Sequence, residues 1–319
     1  MIGSGGTCTN IGEMHLARRG LHMAQTVHGT KVPCAEIERM LDALIDLPAE
    51  ERAKVPGLSP ARADIIVAGM CVIVEVLERL DSPELTVSSY GIREGLLLET
   101  ARVRPTAADP GQSRERSVLQ LAERSHYEEL HSKHVQKLAL QIFDQIGERL
   151  GCEPGERALL FDAALLHDIG YHINYEDHHK HSYHLISHAE LLGMSPVEQV
   201  IVANVARYHR GPRPKRKHRN YSGLDKQSRQ VVKRLSAILR VADGFDRGHS
   251  AAVERVQAEW TGDVLVLTAT PSSGSGDVQL EIWGADRKSR LLAKVAGLPV
   301  KIVGPAGAVV TSNAKTDRE

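Results

Sequence analysis

An adjacent histidine and aspartate close an apolar helical run at Leu165-Leu166-His167-Asp168-Ile169-Gly170, and this pair constrains the fold more than any other stretch. Two polar side chains at the end of a buried helix suit metal ligation from rigid backbone. The residue types that would complete such a site lie far off in sequence: His134 before the pair, then His181, His209 and Asp243 after it. Only a helical domain that folds these segments onto one another can assemble them.

The surrounding sequence supplies such a domain. From about residue 117 to 250 the apolar residues recur at helical spacing. Val135, Leu138, Ile142, Phe143 and Ile146 form one face; Leu159, Leu160, Ala163, Ala164 and Leu166 form another. Ser195-Pro196-Val197-Glu198 has the spacing of a capping box with proline at the first helical position. A last long helix is expected through Val231, Val232, Leu235, Ile238, Leu239 and Val241.

Histidine is concentrated here, with thirteen of the chain's sixteen between His126 and His249. A polar, partly exposed helical surface accounts for most of them, including His131, His172, His178, His218 and His249. The ordered set His134, His167-Asp168 and Asp243 carries a second reading. Imidazole mixed with carboxylate suits a divalent transition metal, whereas magnesium or calcium prefers oxygen donors alone. With His181 and His209 there are six candidate ligands, enough for two ions. A metal so held lowers the pKa of bound water and polarises a phosphoryl oxygen.

The segments on either side differ in texture. Toward the N-terminus, Gly3-Ser4-Gly5-Gly6-Thr7 is open to two readings, a backbone cradle for phosphate or a flexible start. An amphipathic helix is predicted over 35–47, and Ser59-Pro60 suits the cap of a second helix through 65–74. That helix is apolar nearly all round, which predicts burial. Glu84–Ser88 reads as a strand and Gly91-Ile92-Arg93-Glu94-Gly95 as a turn into another helix, so an α/β layer is expected. Prolines and mixed charges at 105–116 mark a linker. After Ala252, strands are predicted at 263–268, 278–282 and 300–303 and a helix at 291–295, with a Ser/Gly loop at 272–276. Residues 305–319 read as a disordered tail.

A chain of 319 residues is long for one core. The fold class expected is α+β, mainly α. Its 40 cations balance 40 anions, so any electrostatic partner must be read by a local patch. One such patch is Arg210, Arg213, Lys215, Arg216, Lys217 and Arg219, which serves either as a solvated loop or as a polyanion-binding site whose affinity falls with salt. Aromatics at 4% leave no base-stacking platform, so no nucleic-acid reader is expected. No apolar stretch is long enough for a spanning helix. The four scattered cysteines fit a reducing compartment, and a cytoplasmic location is expected.

Several motifs in order resemble a known family. Ala163–Asn174, His179-Lys180-His181-Ser182, Tyr208-His209-Arg210 and Leu239-Arg240-Val241-Ala242-Asp243 are similar to the C-terminal half of the exopolyphosphatase/guanosine-pentaphosphate phosphatase (Ppx/GppA) family, including its HD domain. Upstream, Arg62–Gly69 and Gly91–Leu97 resemble the end of its actin-like (ASKHA) phosphatase domain, and Gly3–Thr7 its late glycine loop.

The resemblance implies a partial actin-like α/β subdomain over 1–104, a linker at 105–116, an all-α HD domain over 117–250 and a small α/β domain over 251–304. It implies a phosphoanhydride hydrolase that releases terminal phosphate from polyphosphate or guanosine pentaphosphate, and a homodimer. Magnesium would serve the phosphatase domain, with manganese, iron or zinc in the HD site. Gly3, Ser4, Gly5, Gly6, Thr7 and Arg93 would contact phosphate. The first actin-like subdomain, with the family's water-activating carboxylate, has no counterpart here, so the catalytic residue is unknown and the chain reads as the second half of a phosphatase. Two other functions remain open: an HD-type metal phosphohydrolase acting on a nucleotide phosphate, and a non-enzymatic polyanion-binding fragment.

Overall fold

The computed structural model describes residues 1–21, 26–101, 110–273 and 277–305. Of the linker expected at 105–116, residues 105–109 lie outside the described residues, as do 274–276 of the loop expected at 272–276 and all but the first residue of the tail expected at 305–319. Residues 110–116 are not irregular linker but the first turns of a helix that runs to Arg124. The chain folds as two compact units. The first is residues 1–114 with 192–199 and 223–225; the second is residues 115–191, 200–222 and 226 onward.

The first unit opens with β1 (Ile2–Ser4), α1 (Gly6–Arg18), β2 (Lys31–Pro33), α2 (Cys34–Ile45) and the single turn α3 (Ala49–Arg52). It continues with α4 (Ile66–Arg79), β3 (Glu84–Ser88) and α5 (Ile92–Thr100). The sheet order is β1-β3-β2, with β1 parallel and β2 antiparallel to β3. Ile11 and Met14 of α1, Ile37, Met40 and Leu44 of α2 and Met70 of α4 are buried with Leu85 of the central strand. Removing each such side chain from water contributes about 2 kcal/mol, so this small layer has a real core.

Two expectations change here. Ser59-Pro60 begins a 3-10 turn, Pro60–Arg62, and α4 starts only at Ile66. The helix is also not buried all round. Ile66, Met70 and Leu77 form one inward stripe, while Val72 is 62% exposed and Ile65 52%. Its apolar composition overstates burial because the unit supplies neighbours for one stripe only. The turn at Gly91 forms as expected, its amide donating to Glu94 Oε2 at 2.6 Å ahead of α5.

Next come α6 (Pro110–Arg124), α7 (Glu129–Ile146), α8 (Glu156–Leu166), α9 (His178–His188), α10 (Pro196–Arg207), the turn α11 (Arg219–Ser222) and α12 (Lys226–Gly244). At the head of α10 the expected capping box is present: the amide and hydroxyl of Ser195 donate to Glu198 Oε2 at 2.8 and 2.6 Å. Within the second unit, α7 packs on α8 and α12. Val135, Leu138 and Ile142 of α7, Leu160 and Ala163 of α8 and Val232, Leu235 and Leu239 of α12 are fully buried.

The end of the chain forms β4 (Val253–Thr261), β5 (Val264–Pro271), α13 (Gln279–Lys288), α14 (Arg290–Ala296) and β6 (Val300–Val303). The second sheet has the order β4-β5-β6, with β6 parallel to β5. The strand expected at 278–282 is instead the start of α13. Its alternation is incidental: Val278, Ile282 and Ala285 share one helical face and are buried, whereas Leu280 is 51% exposed. Small residues decide the matter. A Cβ on Gly244 of α12 would lie 2.6 Å from the Ala285 backbone, and one on Gly284 would lie 2.5 Å from Gly244 O, so the two helices cross in backbone contact. No helix among the described residues is long and apolar enough to cross a membrane.

Candidate metal centre

Helix ends of the second unit meet around His167 and Asp168. Helix α8 delivers the pair, held down by Leu159, Leu160, Ala163, Ala164 and Leu166, all buried. The chain then turns sharply through Ile169–His172. A Cβ at Gly170 would stand 2.0 Å from His178 O, so only glycine lets α9 approach this closely. Ser182 of α9 fastens the turn, its hydroxyl donating to His167 O at 2.7 Å and accepting from the Gly170 amide at 2.9 Å. This places His178, the first residue of α9, beside Asp168. His209 arrives just past α10, Asp243 from the last turn of α12, and His131 from the first turn of α7.

The nitrogen and oxygen atoms converge on the Asp168 carboxylate. Its Oδ2 lies 3.4 Å from His167 Nε2 and 3.6 Å from His131 Nε2. Its Oδ1 lies 3.3 Å from both His178 Nε2 and His209 Nε2. Asp243 Oδ1 stands 3.9 Å from His131 Nε2, and its other oxygen meets Lys288 Nζ. Each imidazole is oriented from behind. His167 Nδ1 donates to Ala164 O at 2.7 Å, His209 Nδ1 to Ala206 O at 2.6 Å and His178 Nδ1 to Tyr175 O at 3.0 Å. His131 Nδ1 donates to Asp246 Oδ2 at 2.8 Å. With each Nδ1 committed to these acceptors, each Nε2 faces the centre, that of His131 still carrying a proton in the metal-free protein.

The arrangement fits a divalent transition metal. The Nε2 atoms of His131 and His167 and Oδ1 of Asp168 are buried without a hydrogen-bond partner. Burying polar atoms unsatisfied costs on the order of 1–3 kcal/mol apiece, which a bound ion would offset. Two donors on one tetrahedral zinc-like ion stand roughly 3.0–3.4 Å apart, close to the separations seen here. The ligating atoms form two triads, His131–His167–Asp168 and Asp168–His178–His209, each within 4.8 Å. Asp168 belongs to both, one oxygen to each side.

Charge follows the same geometry. Burial opposes ionisation of Asp168, yet the surrounding imidazoles, His167 foremost, hold its carboxyl well below the usual range. Burial likewise opposes the charge on His131, but the Asp168 and Asp246 carboxylates outweigh it and push the imidazolium up to about 10. Burial dominates at His209 and His178, pushing both below the ordinary histidine value. A cavity of about 720 Å³ opens beside Asp168, bounded by Tyr171, Tyr175, Glu128, Arg247 and His249. His249 stacks on His131 with ring centroids 3.7 Å apart.

Of the six ligands expected from sequence, His167, Asp168, His209 and Asp243 meet in this cluster. His134 does not: it lies beside the Val253 backbone, its Nε2 buried and unpartnered and its pKa lowered by burial. His181 is half-buried on α9, one turn beyond His178, and lies outside both triads. Their places are taken by His131 and His178, which composition had assigned to the surface. One signal was available for His131: it continues the buried stripe of Val135, Leu138, Ile142 and Ile146 one turn back. His178 had none, because its position depends on the Gly170 contact.

The expected phosphate loop lies in the first unit. Ser4 ends β1, Gly5 takes a φ of 91°, and Gly6 opens α1. The Arg62 guanidinium covers Gly6, 1.9 Å from where a Cβ would be. Since β1 and β3 are adjacent and parallel, the loop after Ser4 and the segment after Ser88, which leads to exposed Arg93 in the first turn of α5, leave the same end of the sheet. The basic loop belongs to the second unit. Arg213 and Lys215 line a separate cavity there, Arg216, Lys217 and Arg219 are exposed, and Arg210 lies 6.0 Å from the Tyr175 ring.

Comparison with known proteins gives a consistent family. A model described as the Ppx/GppA phosphatase family matches residues 3–103, and one described as Ppx/GppA phosphatase, domain III, matches residues 113–270. A guanosine-5'-triphosphate,3'-diphosphate pyrophosphatase of Pseudoalteromonas atlantica is 26% identical over 204 residues, covering 62% of this chain and 38% of the relative. The protein of the same name from Vibrio vulnificus is 25% identical over 271 residues, covering 83% of this chain and 50% of its own length. The crystal structure of the Aquifex aeolicus Ppx/GppA family member is 28% identical, with 33% of this chain and 35% of that one covered at a TM-score of 0.29. The chain thus spans half or less of the two relatives' length. With successive family models matched in order along both units, this chain belongs to the Ppx/GppA phosphatase family.

Proposed function

We propose that this chain is a phosphoanhydride hydrolase of the Ppx/GppA kind whose second unit carries an HD-type divalent-metal centre on His131, His167, Asp168, His178, His209 and Asp243. The observation that carries the proposal is the Asp168 carboxylate, buried between four imidazoles whose Nδ1 protons are all committed elsewhere. Such a centre supplies a water of lowered pKa and polarises a phosphoryl oxygen. The protein's own part is positional. Asp246 and the three backbone carbonyls fix the imidazoles, the tyrosine-walled cavity admits a phosphoanhydride end, and Arg247 in its lining offers a cation to the phosphate.

Polyphosphate or guanosine pentaphosphate is the proposed substrate, the second supported by the names of the relatives. Metal content of the purified chain and phosphate release from each substrate test this, against His167→Ala. The expected result is manganese, iron or zinc bound in wild type and lost in the variant, with hydrolysis falling about 100-fold or more. Turnover unchanged by His167→Ala would overturn the assignment of the centre.

A second reading places the hydrolysis at the sheet of the first unit, with Gly3, Ser4, Gly5, Gly6, Thr7 and Arg93 as phosphate contacts. The favouring observation is the common exit of the two loops from adjacent parallel strands, the usual place for ligands in such sheets. Magnesium dependence that survives His167→Ala would select it. Binding of polyphosphate without any turnover would select the polyanion-binding alternative. Light scattering tests the expected homodimer.

A further inference from the structure

Lys288 closes α13, and the crossing of α13 over α12 at Gly244 brings its ammonium onto the Asp243 carboxylate. The same residue lines a second cavity of about 630 Å³ in this unit, walled by the loop 211–215 and by α12, α13 and α14. Eight of its twelve lining residues are lysine or arginine and none is acidic, so the cavity has no internal countercharge. Arg213, Lys215, Lys233, Arg290 and Lys294 make no ion pair among the described residues. The concave shape is also fixed: Arg240 donates to Tyr208 O and to Gly211 O, both at 3.0 Å, pinning the loop against α12.

Unneutralised cations lining a concave surface focus a positive field, and amino and guanidinium donors are the groups that bind phosphate oxygens. The chemistry that fits is a multivalent phosphate-class anion. Lys288 stands between this cavity and the metal centre, since it can pair with Asp243 or with an anion in the cavity, but its single charge cannot fully serve both.

We propose that Lys288 couples the two sites, so that a phosphate-class anion in the basic cavity and a divalent cation at the His/Asp centre bind cooperatively. Without an anion, the Lys288 ammonium neutralises Asp243 and competes with the metal for its oxygen. An anion in the cavity draws Lys288 away and leaves that oxygen to the metal. By linkage the metal must strengthen anion binding by the same factor. The inference rests on the metal reading above, and adds to it a second ligand and a route between the two.

The test is Mn²⁺ binding to the metal-stripped full chain, followed by the EPR signal of the free ion, with and without inorganic phosphate at constant ionic strength. A protein-free titration corrects for phosphate's own affinity for the ion. In wild type, phosphate should tighten Mn²⁺ binding by about 10-fold, within the usual range for coupled sites. Lys288→Met should bind Mn²⁺ more tightly than wild type and show no phosphate effect, while Lys288→Arg should restore it. Arg290→Gln with Lys294→Gln should also lose the phosphate effect.

Mn²⁺ binding that is intact but equally indifferent to phosphate in wild type and Lys288→Met overturns the coupling and leaves the metal centre standing. Absence of Mn²⁺ binding overturns both. A metal-free calorimetric arm compares inorganic phosphate with tripolyphosphate: tighter tripolyphosphate binding assigns the cavity to a phosphate chain, equal binding to a single phosphate group, and binding of neither overturns the proposal.

Discussion

Metal binding at the His/Asp centre should release about one proton at pH 7.5, and that proton should come from His131. Its imidazolium is held up to about 10 because the Asp168 and Asp246 carboxylates outweigh the cost of burial. The ring is therefore charged at neutral pH in the metal-free protein, and its Nε2 must lose a proton before it can ligate. At pH 7.5, about 2.5 pH units below that value, displacing the proton costs about 3 kcal/mol at 1.36 kcal/mol per unit. The logarithm of the metal affinity should thus rise by about one per pH unit from roughly pH 7 to 9 and flatten near 10. His178 and His209, lowered by burial, are already neutral in this window and add nothing. Calorimetry in two buffers of different ionisation enthalpy counts the proton directly. Asp246→Asn keeps an acceptor for Nδ1 but removes one of the two carboxylates, so the release should drop well below one. Metal binding at pH 7.5 with no proton released, or an affinity flat from pH 7 to 9, would refute the reasoning. The same raised value gives the metal-free protein a stability contribution that is complete below about pH 6.5 and lost as pH rises through about 10.

His131→Gln should lower the metal stoichiometry measured by mass spectrometry, while His134→Gln should leave it at the wild-type value. Gly170→Ala would drive a Cβ into His178 O at 2.0 Å, so chemical denaturation should show a loss of about 3 kcal/mol or more together with lost metal binding. Arg234→Met strands the buried Glu156 carboxylate that it pairs with, and the unfolding midpoint should fall by the equivalent of about 3 kcal/mol.

The helical body was legible because its apolar residues follow helical spacing in α7, α8 and α12, and burial of those stripes is a local consequence of sequence. The His167-Asp168 pair was legible for the same reason, as the polar end of a buried helix. What sequence could not show depends on contacts between distant segments. The period-two alternation at 278–282 looked like a strand until Gly244 and Gly284 allowed α12 and α13 to meet in backbone contact. Helix α4 looked buried because its composition is apolar, yet only Ile66, Met70 and Leu77 are fully buried, while Val72 and Val76 are exposed. His134 and His131 sit three residues apart on the same side of α7, and the choice between them is made by Asp246, over a hundred residues later.

The choice of His178 over His181 follows from the same kind of distant constraint. After Asp168 the chain must reverse within a few residues, and Gly170 permits α9 to begin against the turn itself. Asp177 takes a φ of 57° and Ser182 ties the helix to His167 O, so the first turn of α9 is the one that faces Asp168. Tyr171 stacks on His178 with centroids 4.0 Å apart, which holds the ring in place from the other side. A helix starting one turn later would have brought His181 inward. These restraints have an energetic meaning. A buried carboxylate among imidazoles, with His167 Nε2 left unpartnered, costs several kcal/mol that better-packed apolar side chains would avoid. Each restraint instead serves to aim a lone pair at one point. A folding requirement would be met by any arrangement that satisfied those atoms within the protein, whereas a ligand requirement is met by one that leaves some of them open together; the buried, unpartnered His167 Nε2 and Asp168 Oδ1 support the proposed metal reading on that ground.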